Sequence, residues 1–495
     1  MNKLNENDSM TRGGAEAVLP RIIGAGLAGA EAALSLAELG IRVELFEMKP
    51  IQMTEAHHSR DFAELVCSNS LKARRLNSAS GLLKYEALAL GSELLPMAMK
   101  HAVPAGGALA IDREEFSSQV SERIRNHPLI EVREARVDCI DPGHLSLIAT
   151  GPLTEPELLA SIQTEIAAER AYFFDAAAPI IARDSIDFGR VFSASRYQNP
   201  GADQDYLNCP MEREEYERFY EALVSAEVAD IHDFERRHLF SACMPIEEIA
   251  RTGRDSMRFG PLKPVGLIDP HTGRRPYACV QLRREDTHGE MWNLVGFQTR
   301  LKFPEQKRVF SMIPGLESME FYRYGVMHRN SYLHAPSCLN LNFSAKKNPL
   351  IFFAGQITGL EGYVPAIASG RLAALNIYLQ SRGEEPLILP AETMLGALQH
   401  YLNSSTKDYQ PMTANLGILA PLELKIRDKK RRAGHYAARS LRRLLDFMTS
   451  LEERESADFL RAHMRAHIIS EALGPLEAYL DGAEFCPELL AGHGD

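Results

Sequence analysis

A short apolar run that leads directly into a glycine-rich turn constrains this chain more than any other feature. Residues 18–23 predict a β-strand, and Gly24-Ala25-Gly26-Leu27-Ala28-Gly29 follows at once. Residues 30–39 carry Ala, Leu and Glu at helical spacing, and residues 41–46 alternate as a second strand that ends at Glu47. A strand, a G-x-G-x-x-G turn, a helix and a second strand within about 30 residues are typical of a dinucleotide-binding unit.

Each glycine of this turn has its own predicted role. Gly24 permits the tight turn, Gly26 lets the backbone approach a pyrophosphate, and Gly29 lets the helix pack closely on the strand. The N–H groups that begin the helix would face the phosphates. Glu47 lies about 20 residues further on, where an acidic side chain binds the adenosine ribose and favours FAD or NAD over NADP. The alternative is a glycine-rich turn in an unrelated α/β fold.

A second glycine-rich turn lies far along the chain. Residues 352–359 read FFAGQITG, and this apolar strand and turn place Gly355 and Gln356 just before a predicted helix. Many FAD enzymes bring such a late turn to the ribityl chain and the flavin ring. Its position about 330 residues after the first turn therefore favours FAD over NAD. The alternative is an ordinary turn between a strand and a helix.

Length and composition predict an ordinary globular protein of two or three domains. The chain has 495 residues, of which 45% are apolar and 24% charged. Its seven cysteines are odd in number and widely spaced, which indicates reduced thiols in the cytosol rather than a disulfide framework. No C-x-x-C or H-E-x-x-H pattern occurs, so no metal site is predicted. No secretory signal and no membrane-spanning segment are expected.

The predicted fold class is α/β, with a Rossmann-like FAD-binding domain of the glutathione-reductase type, an inserted smaller α+β domain and a helical C-terminal region. Residues 50–107 predict loops and short helices, and the tail from residue 474 is expected to be loosely packed. The predicted boundaries are 18–202 and 316–390 for the two parts of the FAD-binding domain, 203–315 for an RNA-facing insertion, 391–450 for a basic helical region and 451–495 for a C-terminal extension.

The distribution of charge is uneven. The net charge of −11 argues against a nucleic-acid binder. One short segment is nevertheless strongly basic, and phosphate contacts there would be natural: Lys425, Arg427, Lys429, Lys430, Arg431, Arg432, Arg439, Arg442 and Arg443. A solvated helix face is the alternative interpretation of this segment.

Several sequence blocks carry a specific resemblance. They are DFAELVCSNSLK at 61–72, HAVPAGGALA at 101–110, DYLNCPM at 205–211, CMPIEE at 243–248, FGPLKPVGL at 259–267, VGFQT at 295–299 and RYGVMHRN at 323–330. In this order, over roughly residues 22–443, the chain resembles the folate- and FAD-dependent tRNA (uracil-5-)-methyltransferases. It departs from that family at 365–370, where PAIASG replaces the usual ESAASG. A proline fits the first turn of a helix, so the fold is expected to survive.

The resemblance implies FAD as cofactor, with 5,10-methylenetetrahydrofolate and NAD(P)H as co-substrates. It implies the uridine of the tRNA T-loop as target, in the cytoplasm, with no membrane and no obligate protein partner. It gives the nucleophile role to Cys243 and a supporting or base role near the flavin to Cys67. Gly106 and Gly107 are expected to let the backbone pass close to the flavin ring. The five remaining cysteines are expected to be structural.

Physical chemistry supports thiols in these roles. A thiolate that adds to C6 of uracil makes C5 nucleophilic. A thiol just before a helix N-terminus ionises more readily, and Cys243 precedes a helix predicted at 245–250. Three alternatives stay open. They are the same chemistry on a ribosomal RNA uridine, an FAD-bearing RNA-binding protein without methylation activity, and a plain FAD oxidoreductase.

Overall fold

A computed structural model describes residues 19–49, 51–54, 56–167, 170–196, 205–229, 244–404, 409–451 and 463–483. Its strands are β1 (Arg21–Ile23), β2 (Val43–Glu47), β3 (Ser70–Ala73), β4 (Ala102–Val103), β5 (Ala108–Ile111), β6 (Ile130–Glu134), β7 (Ser146–Ile148), β8 (Arg170–Ala176), β9 (Ile180–Ala182), β10 (Phe192–Ser193), β11 (Tyr206–Met211), β12 (Ala278–Arg284), β13 (Met291–Leu294), β14 (Phe321–Arg323), β15 (Met327–Leu333) and β16 (Ile351–Phe353).

The helices are interspersed with these strands along the sequence. They are α1 (Leu27–Glu38), α2 (Ala79–Ala89), α3 (Leu94–Lys100), α4 (Arg113–Arg125), α5 (Pro156–Ile166), α6 (Arg213–Ser225), α7 (Ile246–Arg251), α8 (Ser256–Phe259), α9 (Phe303–Phe310), α10 (Ala335–Cys338), α11 (Tyr363–Ser381), α12 (Met394–Tyr401), α13 (Lys429–Ser450) and α14 (Ala466–Asp481). Within the described ranges, no helix is both long and apolar enough to cross a bilayer.

A parallel sheet of five strands forms the centre of the first half of the fold, in the order β16-β7-β1-β2-β6. Strands β16, β7 and β1 are short and largely apolar, as strands covered on both faces are, whereas β2 and the edge strand β6 also carry charged residues. Helices α1 and α11 pack against each other so closely that a Cβ at Gly370 would lie 2.3 Å from the Ala28 carbonyl oxygen. This arrangement is a Rossmann-type α/β fold, as the first strand-turn-helix pattern predicts.

A second sheet of six strands has its own apolar core. Its order is β10-β11-β12-β13-β9-β14, and all of its pairs are antiparallel. The core lies between this sheet and helices α6, α7 and α9, with Phe219, Phe297 and Phe310 completely buried. The strands of this sheet begin at Ile180 and end at Arg323, on either side of the predicted limits of 203 and 315. Those domain limits remain a prediction.

Two expectations about regularity are wrong. Residues 50–107 hold more than loops and short helices, because α2 is an 11-residue helix in the main core and a three-stranded sheet, β3-β5-β4, includes this segment. Glu86 of α2 accepts hydrogen bonds from the Met394 and Leu395 amides at 2.8 and 2.7 Å and therefore caps α12. The tail from Gly474 is not loosely packed where it is described, because α14 continues to Asp481.

Candidate functional site

A cavity lies at the carboxyl ends of the parallel strands, where open α/β sheets bind ligands. Residues that follow β1, β2, β6, β7 and β16 line it, and it encloses about 1070 Å³ with its solvent-open part included. We call it the fingerprint cavity. Its walls include Gly24, Gly26, Leu27, Ala28, Glu47, Ala149, Thr150, Gly355 and Gln356.

The three glycines of the first turn differ in what surrounds them. A Cβ on Gly24, whose φ is +96°, would lie 2.8 Å from the Ala149 carbonyl oxygen. A Cβ on Gly29 would lie 1.8 Å from the Gly24 carbonyl oxygen, so only glycine lets α1 pack this closely on β1. A Cβ on Gly26 would have no protein atom within 4 Å. The space beside Gly26 therefore belongs to the cavity, as a pyrophosphate site requires.

Glu47 connects the end of β2 to this turn. Its carboxylate accepts hydrogen bonds from the amides of Ala25 at 2.8 Å and Lys49 at 3.0 Å. Two carboxylate oxygens offer about four lone-pair positions, so acceptor capacity remains for ribose hydroxyls. The N-cap residue Gly26 has no side chain with which to cap α1, and Gly26, Leu27 and Ala28 line the cavity, so the first-turn N–H groups are available to a ligand there. The turn and Glu47 thus present donors and acceptors in the order that an adenosine diphosphate unit needs.

The second glycine-rich turn joins the same cavity from the other side. Gly355 has a φ of +78°, and a Cβ there would lie 3.0 Å from the Ala28 Cβ. Gln356 faces the cavity, and its Nε2 donates to both carboxylate oxygens of Glu361 at 2.8 Å. Helix α11 then begins at Tyr363, with Pro365 in its first turn. The structure therefore brings both glycine-rich turns to one site.

A second cavity, the thiol cavity, adjoins the first. It encloses about 1240 Å³ with its open part included, and Cys67 lies in its wall with Lys72, Gln298, Glu361 and Tyr363. Five residues line both cavities: Val66, Pro152, Leu153, Gln356 and Tyr363. The two cavities therefore lie side by side, with these five residues between or around them.

Two arginines fix the chain at Cys67. Arg323 of β14 donates to the carbonyl oxygens of Val66 at 3.2 Å and Cys67 at 2.6 Å. Arg113 donates to the Leu65 carbonyl at 3.1 Å and forms an ion pair with the fully buried Glu285. Burial opposes the charge on Arg113, yet the Glu285 carboxylate raises its pKa above the usual value. Both guanidinium groups therefore place positive charge beside this thiol.

Tyr363 is a third neighbour of Cys67. The Cys67 amide donates to the Tyr363 hydroxyl oxygen at 2.8 Å. Burial, and then the neighbouring thiol, raise the pKa of Tyr363 above its usual range. The phenol therefore keeps its proton at neutral pH and can donate it to a ligand in the thiol cavity.

Some predicted site residues are not brought together with these groups. Gly106 and Gly107 lie in the turn before β5 and are absent from the walls of both cavities; the Gly106 amide donates to the Asp205 carboxylate instead. Cys243 lies outside the described residues. The chain that follows it begins α7 at Ile246, whose amide donates to the Gln298 carbonyl at 2.7 Å. Gln298 lines the thiol cavity.

The remaining cysteines divide by burial. Cys209, Cys279 and Cys338 are buried, as structural cysteines are expected to be, whereas Cys139 is exposed. Burial raises the pKa of Cys279 and of Cys338 to about 12, so both remain thiols. Cys486 lies outside the described residues. Among the residues that the structure describes, no group of three potential ligands is placed to hold a metal ion.

Sequence reasoning missed the side chains that support Cys67. Arg113 begins α4 and Arg323 ends β14, so both are distant from Cys67 in sequence, and Arg323 reaches it only through the contact with the second sheet. Tyr363 follows the second glycine-rich turn closely and begins α11, so its place in the sequence indicates a side chain near the proposed flavin site.

Comparison with known proteins gives the family. The family described as glucose inhibited division protein A matches residues 21–385. A methylenetetrahydrofolate--tRNA-(uracil-5-)-methyltransferase from Desulfitobacterium hafniense is 52% identical over 428 residues, which cover 86% of this chain and 98% of the relative. The enzyme of the same name from Acetivibrio thermocellus is 50% identical over 429 residues, again 86% of this chain and 98% of the relative. The chain belongs to this methyltransferase family.

A solved structure confirms the predicted α/β fold class for this member of the methyltransferase family. GidA of Aquifex aeolicus superposes with a TM-score of 0.64 at 16% identity, over 93% of this chain and 77% of that chain. At this level of identity the likeness concerns the fold alone. The family resemblance seen in the sequence blocks is confirmed by the relatives at about half identity.

The basic segment of this family member divides into two parts. Toward its end the arginines have protein partners: Arg442 lies 2.5 Å from Glu477, and Arg439 donates to the Ala420 carbonyl. At its start the side chains are exposed, and the described residues provide no ion pair for them: Lys425, Arg427, Lys429, Lys430 and Arg432. These five cations, which we call the basic patch, surround the positive end of the 22-residue helix α13. Their mutual repulsion favours a bound polyanion.

Proposed function

We propose that this chain methylates C5 of a uridine in the tRNA T-loop, with 5,10-methylenetetrahydrofolate as carbon donor and reduced FAD as reductant. Family membership supports the reaction, since the relatives are named for it. The structural observation that carries the proposal is that the fingerprint cavity adjoins the cavity that Cys67 lines, with five residues in the walls of both. A redox cofactor and a thiol must meet at one nucleotide in this chemistry, and adjoining cavities support such an arrangement.

The residues of the fingerprint cavity fit FAD. The open space at Gly26 and the uncapped start of α1 suit the pyrophosphate, Glu47 suits the adenosine ribose, and Gly355 with Gln356 suits the ribityl and flavin portion. When bound and reduced, the flavin supplies the hydride that completes the methyl group. NAD(P)H is the proposed source of that hydride, and the cytoplasm the proposed location.

Two thiols divide the covalent and proton-transfer steps. The Cys243 thiolate adds to C6 of the uracil, and the C5 enolate that results attacks the one-carbon unit. The adduct then loses its C5 proton and expels tetrahydrofolate, the exocyclic methylene group that results accepts a hydride, and the thiolate leaves C6. We assign the proton-accepting or supporting role to Cys67, because Arg113 and Arg323 place positive charge beside a thiol that has to lose a proton.

Other residues of the chain hold the reactants in place. The protonated Tyr363 hydroxyl and the carboxylate of Glu361 offer a donor and an acceptor inside the thiol cavity, which suits a heterocycle with both kinds of group. The basic patch at the start of α13 offers phosphate contacts for the tRNA backbone. Arg283 of β12 is given no RNA contact in this proposal, because its side chain is buried and its Nε donates to Asn69 at 3.1 Å.

Nucleoside analysis tests the proposal directly. The flavin-loaded protein is incubated with labelled methylenetetrahydrofolate, NAD(P)H and unmodified tRNA, and label is expected in 5-methyluridine. C243A is expected to retain FAD, lose methylation and lose the covalent adduct with 5-fluorouridine RNA. C139S serves as the matched control, because this cysteine is exposed and lines neither cavity.

The other outcomes separate the rival functions. Label in ribosomal RNA but not in tRNA would change the target and keep the chemistry. Tight RNA binding without label and without adduct would indicate a flavin-bearing RNA-binding protein. An adduct that persists in C243A would remove the nucleophile assignment, and activity that does not depend on RNA would indicate a plain oxidoreductase.

A further inference from the structure

Three aromatic rings form a column on the surface of the second sheet. The rings of Phe303 and Tyr324 have centroids 4.6 Å apart and an interplanar angle of 24°. The rings of Tyr324 and Phe321 follow at 4.3 Å and 17°. Tyr324 therefore lies between two nearly parallel neighbours. Most aromatic contacts in this core are tilted or edge-on, such as Phe297 against Phe310 at 79°. Parallel stacking of three rings presents a flat face at the end of the column.

The outer end of the column is open. Phe303 is 51% exposed, whereas Phe321 at the other end packs against the core of the second sheet. Phe303 begins α9 just after an exposed lysine, and Pro304 fixes the start of the helix. The column is thus supported by the core at Phe321 and exposed to solvent at Phe303, where a further flat ring would extend it.

This column stands beside the thiol cavity. Tyr324 lies between Arg323, whose guanidinium donates to the Cys67 carbonyl at 2.6 Å, and Gly325. A Cβ on Gly325 would lie 2.8 Å from the carbonyl oxygen of Ala177, which lines the thiol cavity. The Ala177 amide also donates a hydrogen bond to the Val326 carbonyl at 2.7 Å, so residues 325 and 326 both contact this residue of the cavity wall. The backbone that carries the central ring is therefore part of the frame around the proposed target site.

A cation accompanies the open ring. Lys307 lies one helical turn after Phe303 on α9, so both side chains project from the same face of the helix. Lys307 is exposed, and the described residues supply no carboxylate within ion-pair distance of it. Its neighbours in sequence are different, because Lys302 pairs with Glu227 and Arg308 pairs with Glu305. An unpaired cation beside a flat ring is the combination that binds a base and its phosphate.

We infer that Phe303, supported by Tyr324 and Phe321, is a stacking platform for an RNA nucleobase that neighbours the target uridine, and that Lys307 contacts the phosphate of that nucleotide. This inference rests on the proposed function. A uridine that enters the thiol cavity has to leave its stack, and its neighbour then loses a stacking partner. The platform replaces that partner at the edge of the cavity. A single-stranded loop nucleotide is favoured as occupant over an apolar protein surface because the cation lies beside the ring.

The test uses the full-length, flavin-loaded protein and unmodified tRNA. F303L keeps the apolar volume and removes the aromatic face, whereas F303W keeps a face. F188L is the matched control, because Phe188 belongs to the same part of the fold and is 47% exposed. Base stacking on an aromatic ring corresponds to about a 5- to 150-fold difference in affinity. F303L is therefore expected to raise Kd and KM for tRNA by at least about 5-fold, with kcat, KM for the folate and flavin content unchanged.

A spectroscopic signature distinguishes stacking from a general loss of fit. The chain has one tryptophan, Trp292, so F303W combined with W292F carries a single indole at the platform. Its fluorescence is expected to be quenched by tRNA, and F303W is expected to restore the affinity that F303L loses. Replacement of Lys307 by Gln is expected to lower tRNA affinity and to reduce its dependence on salt.

Specific results would overturn the inference. These are Kd and KM for tRNA within about two-fold of wild type in F303L, an equal loss in F188L, or no quenching in the single-indole variant. A change in self-association with unaltered tRNA binding would also overturn it, since the face would then be an interface between copies of this chain. If the wild-type protein forms 5-methyluridine while F303L behaves like it, the inference alone fails. If the wild-type protein forms none, the proposed function itself fails.

Discussion

Replacement of Gly26 by alanine is expected to separate flavin binding from folding. The added methyl group meets no protein atom within 4 Å, and the backbone of Gly26 has a φ of −69° and a ψ of −171°, which alanine adopts without strain. Because a Gly-to-Ala change of this kind restricts the unfolded chain, the stability of the apoprotein should stay the same or rise by about 0.4–1 kcal/mol.

Flavin affinity is expected to fall sharply in the same variant. The methyl group occupies the space in which the pyrophosphate has to approach the backbone at the start of α1. Overpacking of this size costs about 1–3 kcal/mol, so the FAD dissociation constant should rise by about 5- to 150-fold. G29A is the matched contrast, since its Cβ would lie 1.8 Å from the Gly24 carbonyl oxygen and the clash is internal to the protein. That variant should lose stability with or without flavin.

Two measurements on each variant distinguish these effects. Visible flavin absorbance per mole of protein, followed during titration with FAD, gives the affinity. Urea unfolding of the flavin-free protein gives the free energy of unfolding. G26A is expected to unfold like the wild type and to purify pale, and G29A to unfold at lower urea concentration. Retention of wild-type FAD affinity by G26A would refute the assignment of the pyrophosphate to this helix end.

Three further predictions concern charge. Glu285→Gln leaves the positive charge of its arginine partner buried without a counter-ion and should lower the free energy of unfolding by about 3–5 kcal/mol, measured in urea. Burial raises the pKa of Glu86 to about 7, so the folded state holds its proton above the ordinary pKa of 4.5. The bound proton stabilises the folded state by on the order of 3 kcal/mol below pH 4.5, and this stabilisation is lost as the pH rises through 7. In urea unfolding from pH 5 to pH 8, the free energy of unfolding of Glu86→Gln should therefore fall less than that of the wild type. Replacement of Lys429, Lys430 and Arg432 by Gln should weaken tRNA binding and reduce the slope of log affinity against log salt by about 2–3, measured by filter binding.

The sequence predicted those parts of the fold in which local pattern and tertiary role agree. The first strand, glycine turn and helix are found as β1 and α1, with bounds shifted by about 3 residues. The late turn at Gly355 was predicted because an apolar strand, a glycine and a helix follow one another in the sequence. Both turns reach one cavity because both follow strands of a single parallel sheet, and the carboxyl ends of those strands share an edge.

Other parts depend on contacts that no local pattern records. Helix α2 was missed because its segment is rich in Asn, Ser and Gly at its edges, although its interior is completely covered by the main core. Tertiary burial determines such a helix more than propensity does. The charges beside Cys67 were missed for a related reason. Arg113 and Arg323 are separated by more than 200 residues and meet only because the second sheet packs on the turn that holds this thiol.

The packing of the two sheets gives the site its dependence on both halves of the fold. Arg323 belongs to β14 of the second sheet, yet its guanidinium holds the carbonyl of Cys67, which belongs to the first half. Asn69 makes a similar contact, since its Nδ2 donates to the Arg284 carbonyl at 3.0 Å. A relative shift of the sheets would therefore disturb the backbone that carries the thiol. Strand β14 holds both Arg323, which contacts Cys67, and Phe321, whose ring supports Tyr324 and through it the proposed stacking ring of Phe303 on α9. The support of the stacking column and the contact to the thiol therefore depend on the same strand.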